Sequence, residues 1–242
     1  MIGPAWCIDG RPDENYQKGP QMPGGSAFPI IVSLIIEGKE INESNVSEKH
    51  SRLKKAGYET GAHRGSHKNP EENKSDCAFL DKLPEILTTV VRRKKDLTES
   101  LQNIYRENKE SFDIFDKPFT EVIQDTINIT GDFPLDKIKI SGEKVVSVLE
   151  RSGAIIENLE GDHGESVAYI NTKENVTFDT NMANKEGFQA FNLDLIPIIN
   201  QIKSLGVNKD RAISFALVLY QTVNIVLAEA KGIKPLEIRL HK

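Results

Sequence analysis

The chain of 242 residues reads as an α/β fold, one domain over residues 1–242 with a central mixed sheet covered by helices. Amphipathic helical stretches interleave with short strand-like runs, the pattern of a sheet with helical cover. The length suits one substantial core. Apolar content of 38% beside 28% charged residues describes an ordinary folded protein.

Taken in order, Met1–Trp6 lead into a short strand that delivers Cys7. Gly10, Pro12, Gly19-Pro20 and Pro23-Gly24-Gly25 then mark tight turns. Ser26–Glu37 is apolar without alternation, so periodicity alone leaves strand or helix open. Ser26 after paired glycines favours a helix that it caps. A helix over Ser44–Ala56 is expected, capped by Ser44 or Ser47 and stopped by Gly57. Tyr58–Ala62 is expected to be a strand ending at His63. After Cys77, the spacing of Phe79, Leu80, Leu83, Leu87, Val90, Val91, Leu97, Leu101 and Ile104 predicts a long amphipathic helix. Pro84 fits it only in the first turn, and the charged run Arg92–Asp96 reads as solvated surface.

A short helix around Phe119–Ile127 is followed by a loop. Ser141-Gly142-Glu143 opens another helix, running to Glu150 and stopped by Gly153. Ala154–Leu159 and Ser166–Thr172 read as strands joined by the turn Glu160–Gly164. Asn192–Leu205 and Lys209–Lys231 read as helices, stopped by Gly206 and Gly232, and Leu236–Leu240 as a last strand.

Charge narrows the function. The formal net charge is −5 and the pI about 5.7, so no nucleic-acid partner is expected, since phosphate neutralisation wants a basic surface. The apolar run Phe28–Ile36 is far too short to span a bilayer, and no membrane partner is expected. The first residues lack the basic-then-apolar layout of a signal peptide. The expectation is a cytoplasmic protein with free thiols. The pattern sets no oligomeric state.

The two cysteines stand in segments dense with reactive residues. If Cys7-Ile8-Asp9-Gly10-Arg11 is extended, Cys7, Asp9 and Arg11 share one face. Arg11 would then hold the Asp9 carboxylate ionised through a two-pronged hydrogen bond. Cys7, His63 and Cys77 are the ingredients of a three-ligand metal site with an open fourth position. Soft sulfur donors suit Zn²⁺ and also Cd²⁺. Each residue alone has a plainer reading: a cysteine as a small buried hydrophobe, a histidine near a strand end as structural, Asp9 and Arg11 as a surface ion pair.

The motifs taken together resemble a known family. Cys7–Arg11, Gly19–Gly25, Gly61-Ala62-His63 and Asp76–Phe79 are similar to the cadmium carbonic anhydrases, the ζ class. Gly142–Val146, Gly153–Glu157, Gly161–Asn171 and Phe191–Asp194 match in the same order. The resemblance implies an α/β domain like those of the ζ and β classes. Its metal, Zn²⁺ or Cd²⁺, would be bound by Cys7, His63 and Cys77, with Asp9 and Arg11 as the catalytic pair beside it. The implied reaction is reversible hydration of CO₂ to bicarbonate by a metal-bound hydroxide. His67 is the alternative histidine ligand, and His163 has either a relay role or a surface-turn role. Two other readings stay open: a carbonyl sulfide or carbon disulfide hydrolase on the same site, and a non-catalytic metal-binding protein. A nucleophilic Cys7 paired with His63 ranks last, because no oxyanion architecture is visible.

Overall fold

The computed structural model describes residues 6–7, 21–65, 78–107, 116–159, 167–170, 176–179, 190–193, 196–231 and 237–240. Strand β1 (Trp6–Cys7) pairs in parallel with β2 (Gln21–Met22), Cys7 opposite Met22. A glycine turn follows, and the apolar run after it is helix α1 (Ala27–Ile36). Pro29 explains why this run is not a central strand. It would remove a ladder hydrogen bond there, whereas in a first helical turn its missing N–H costs little. Ala27 to Ile35 are all buried.

Helix α2 (Glu43–Lys55) is capped by neither expected serine. Asn42 has the extended backbone of a cap, and its Oδ1 accepts from Asn45 N at 2.9 Å. Ser44 lies in the first turn and Ser47 further inside. Strand β3 (Gly61–Gly65) starts later than expected, so His63 is its centre and not its end.

The long helix expected after Cys77 is three pieces: α3 (Ala78–Asp81), α4 (Leu83–Arg92) and α5 (Lys94–Glu107). Pro84 explains the first break, since its ring would clash with the carbonyl four residues back in a continuous helix. The chain restarts with Pro84 in the first turn of α4. Leu83, Leu87 and Val90 are buried as the spacing requires, but Val91, at the edge of the stripe, is 54% exposed.

Helix α6 (Phe119–Gly131) and a 3₁₀ turn (Leu135–Lys137) precede α7 (Gly142–Arg151), whose cap is Ser141. Gly153 ends that segment in the left-handed region (φ 85°), as expected. Strand β4 (Ile155–Leu159) pairs in parallel with β3, not with the next strand. Instead β5 (Val167–Ile170) runs antiparallel to β6 (Val176–Asp179). Strand β7 (Ala190–Leu193) is parallel to β8 (Glu237–Leu240). Asn192 therefore lies in a strand, and helix α8 (Ile196–Ser204) starts where Pro197 can occupy a first turn.

The class is mixed α/β, and helices carry most of the described chain. Among the described residues the strands form four two-stranded ladders, not one hydrogen-bonded central sheet. The core centres on α9 (Lys209–Lys231), which packs against α1, α4, α5, α6 and α8. No helix among the described residues is long and apolar enough to cross a membrane.

One half-buried ion pair links α2 to the end of α1. Lys49 of α2 is fully buried; its Nζ donates to Glu37 Oε1 at 2.5 Å and to the Leu205 carbonyl at 3.2 Å. Both acceptors follow helix C-termini, where a cation is favoured. Partial burial pushes the Glu37 carboxyl up, but hydrogen bonds and charge from Lys49 and Lys39 outweigh it and hold it below its ordinary range.

Candidate metal centre

Three segments carry the expected ligands, and the stretch Met22–Phe28 touches all three. Strand β1, ending at Cys7, is laddered to Met22. Strand β3, carrying His63, is tied to Ser26: Ser26 N donates to the Gly61 carbonyl at 2.9 Å, and Gly61 N donates to Ser26 Oγ at 2.9 Å. Helix α3 starts one residue after Cys77, and its Phe79 ring packs on Phe28 with centroids 5.5 Å apart.

Glycine makes the third contact possible. Gly24 has φ 78°, and a Cβ there would lie 2.9 Å from Phe79 Cδ1. On its other side α3 meets the start of α7, where a Cβ on Gly142 would lie 2.7 Å from Asp81 Oδ1 and 2.9 Å from Leu80 Cβ. The turn that follows Cys77 is therefore seated between two glycines that admit no side chain. Its position is set by shape.

His63 is buried, 3% exposed, and stands opposite Glu157 in the ladder. Its same-face neighbours along the strand are Gly61 and Gly65. Neither has a side chain, so β3 places no side chain of its own beside the imidazole on that face. Glycine inside a strand commonly marks a place of close approach.

The edges of β3 are also divided. Successive residues of a strand offer their N–H and C=O to opposite edges. Thr60 accepts from Ile155 N on the β4 side, whereas Gly61 pairs with Ser26 on the other. Strand β1 also lies beside β3, which brings the Cys7 and His63 backbones into one neighbourhood.

Below β3, His50 of α2 is fully buried, and its Nε2 lies 2.6 Å from Thr60 Oγ1. Burial, with the charge of Lys54 adding to it, pushes the imidazole down from 6.5 to about 4. His50 is thus a neutral prop under the strand.

Asp9, Arg11, Cys77, the alternative ligand His67 and the turn residue His163 lie outside the described residues, and Cys7 is described only as part of β1. Among the described residues no three histidine, cysteine or carboxylate side chains group as a metal cluster. The chain matches the cadmium carbonic anhydrase repeat over residues 2–195. It belongs to that family. Comparison with curated proteins returned no match.

The matched span contains Cys7, Asp9, Arg11, His63 and Cys77. Cadmium carbonic anhydrase repeats imply a metal, and the donor chemistry suits one. Two thiols and a buried imidazole between strand glycines are a soft donor set for Zn²⁺ or Cd²⁺. What the sequence does not reveal is the frame. Ser26 is legible as a helix cap, yet its hydroxyl makes no cap bond and serves β3 instead. His50 and Gly142 have no local signature at all.

Proposed function

We propose that the chain is a carbonic anhydrase, a lyase interconverting CO₂ and bicarbonate, with Zn²⁺ or Cd²⁺ held by Cys7, His63 and Cys77. The convergence of β1, β3 and the start of α3 on Met22–Phe28 carries the reading. When bound, the metal supplies the Lewis acidity that lets a water lose its proton near neutral pH. Cys7 and Cys77 would serve as thiolates and His63 as a neutral imidazole. Asp9 receives the water's proton on a carboxylate oxygen or orients that water. Arg11 keeps Asp9 ionised and fixes its direction. CO₂ and water give bicarbonate and one proton, which Asp9 passes to solvent.

We further propose one domain over residues 1–242, in which β2, β1, β3 and β4 lie in that order in a single sheet. The packing of α9 against α1, α4 and α6 supports one domain, and the divided edges of β3 support the strand order. Stopped-flow CO₂ hydration on Zn²⁺- and Cd²⁺-loaded protein tests the activity. Cys7→Ser is expected to remove it, and a rate unchanged by that substitution would sink the proposal. Carbonyl sulfide assayed beside CO₂ separates the two hydration substrates.

A further inference from the structure

Ser26 occupies a place that a helix cap does not explain. It is fully buried at the head of α1. Its side chain makes no cap bond, and its hydroxyl accepts instead from the amide of Gly61 at 2.9 Å. Its own amide completes the pair on the Gly61 carbonyl. Gly61 is two residues before His63 on the same strand face, so this two-bond clamp fixes the rotation of β3 about its axis. The next residue back, Thr60, is bonded to His50 and to β4. A strand held at consecutive residues from three sides has little freedom to turn its histidine.

Gly61 needs such a clamp more than another residue would. It has no side chain to pack, and glycine loses the most conformational freedom on folding. The same absence means that β3 puts no side chain of its own at Gly61 beside His63.

From this geometry we infer that Ser26 is a positioning residue for metal binding. Its hydroxyl holds β3 so that the His63 imidazole meets the two thiolates without rearrangement. The inference rests on the metal centre proposed above. Second partners that orient a ligand typically change metal affinity by roughly 10–100-fold. Ser26 acts through the backbone, and the low end is expected, about tenfold.

Titration of the full chain with Co²⁺ tests this with a readout other than turnover. Cobalt bound to thiolate shows sulfur-to-metal charge transfer, and its visible ligand-field bands report geometry. The wild-type chain is expected to show the charge-transfer band, and Cys7→Ser to weaken it. No band in the wild type would overturn the parent reading and this one with it. With the band present, Ser26→Ala is expected to weaken Co²⁺ binding about tenfold and to shift the ligand-field bands. Ser26→Gly, which leaves room for a water on the Gly61 amide, takes its place if Ser26→Ala does not fold. Val122→Ala, at a buried position on α6, a helix that packs against α4, α5 and α9, is the control for stability loss alone. A folded Ser26 variant with wild-type affinity and spectrum refutes the inference while leaving the metal centre standing. So does an equal loss of affinity in the Val122 control.

Discussion

Acidification is expected to destabilise this protein through His50. The imidazole is fully buried, and its pKa falls from 6.5 to about 4. Nε2 faces Thr60 Oγ1, whereas Nδ1 has no hydrogen-bond partner among the described residues. The neutral ring that donates from Nε2 leaves only a lone pair unpaired. Protonation would add a buried N–H with nowhere to donate.

The sign follows directly. Above pH 6.5 both folded and unfolded chains hold His50 neutral, and its effect on stability is constant. Below 6.5 the unfolded chain binds a proton that the folded chain refuses, so stability falls as pH falls. Each tenfold loss of proton affinity corresponds to about 1.4 kcal/mol, so the full loss is about 3 kcal/mol by pH 4. About 2 kcal/mol of it comes between pH 6.5 and 5, above the range where Glu37 with its lowered pKa contributes. Urea unfolding across this window, with chelator present to remove metal linkage, measures it. His50→Gln stays neutral throughout, and its pH profile is expected to be flatter than wild type by about 2 kcal/mol. Parallel profiles would refute the reasoning, whatever the absolute stability of the variant.

Two further outcomes follow from packing. In an ordinary helix Gly→Ala stabilises by about 0.5–1 kcal/mol, but Gly142→Ala would press on Leu80 Cβ and Asp81. A loss of about 1–3 kcal/mol is expected, read as a lower midpoint in thermal unfolding, and a gain would show that α3 yields freely. At the Lys49–Glu37 pair the two partners are expected to differ. Glu37→Ala strands a fully buried ammonium and costs about 3 kcal/mol, whereas Lys49→Met removes the charge and costs about 1 kcal/mol or less. Chemical unfolding of both variants settles the order, and equal losses would count against a desolvated lysine.

What is legible in the sequence is what depends on near neighbours. Ser141 as a cap, Gly57 and Gly153 as left-handed stops, and Pro84 in a first turn are readable, because each acts within four residues. The ligand candidates leave local motifs for the same reason: Cys7-x-Asp9-x-Arg11 would share a face if extended, and Gly61-Ala62-His63 is a local context. Asn42 does not stand out as a cap because Ser44 and Ser47 offer the same capping chemistry two and five residues on, and backbone geometry alone chooses among them. Strands β6 and β7 escape notice, β7 because its end, Asn192-Leu193, adjoins the apolar run that becomes α8. None of the long-range frame is legible. Ser26 and Gly61 are 35 residues apart, and nothing in either tripeptide announces the other.

That division has a physical meaning for the site. Ligand chemistry needs particular side chains and so leaves a motif, while ligand placement needs only that something of the right shape be present. In the proposed centre Gly24 and Gly142 would supply placement by lacking a side chain, and Ser26 would supply it with one hydroxyl. Many sequences could meet those demands, which is why spacing alone does not reveal them. A metal centre assembled from distant segments is then specified twice, once in the donors and once in the contacts that bring them together. The second specification is the one a substitution far from any ligand can erase.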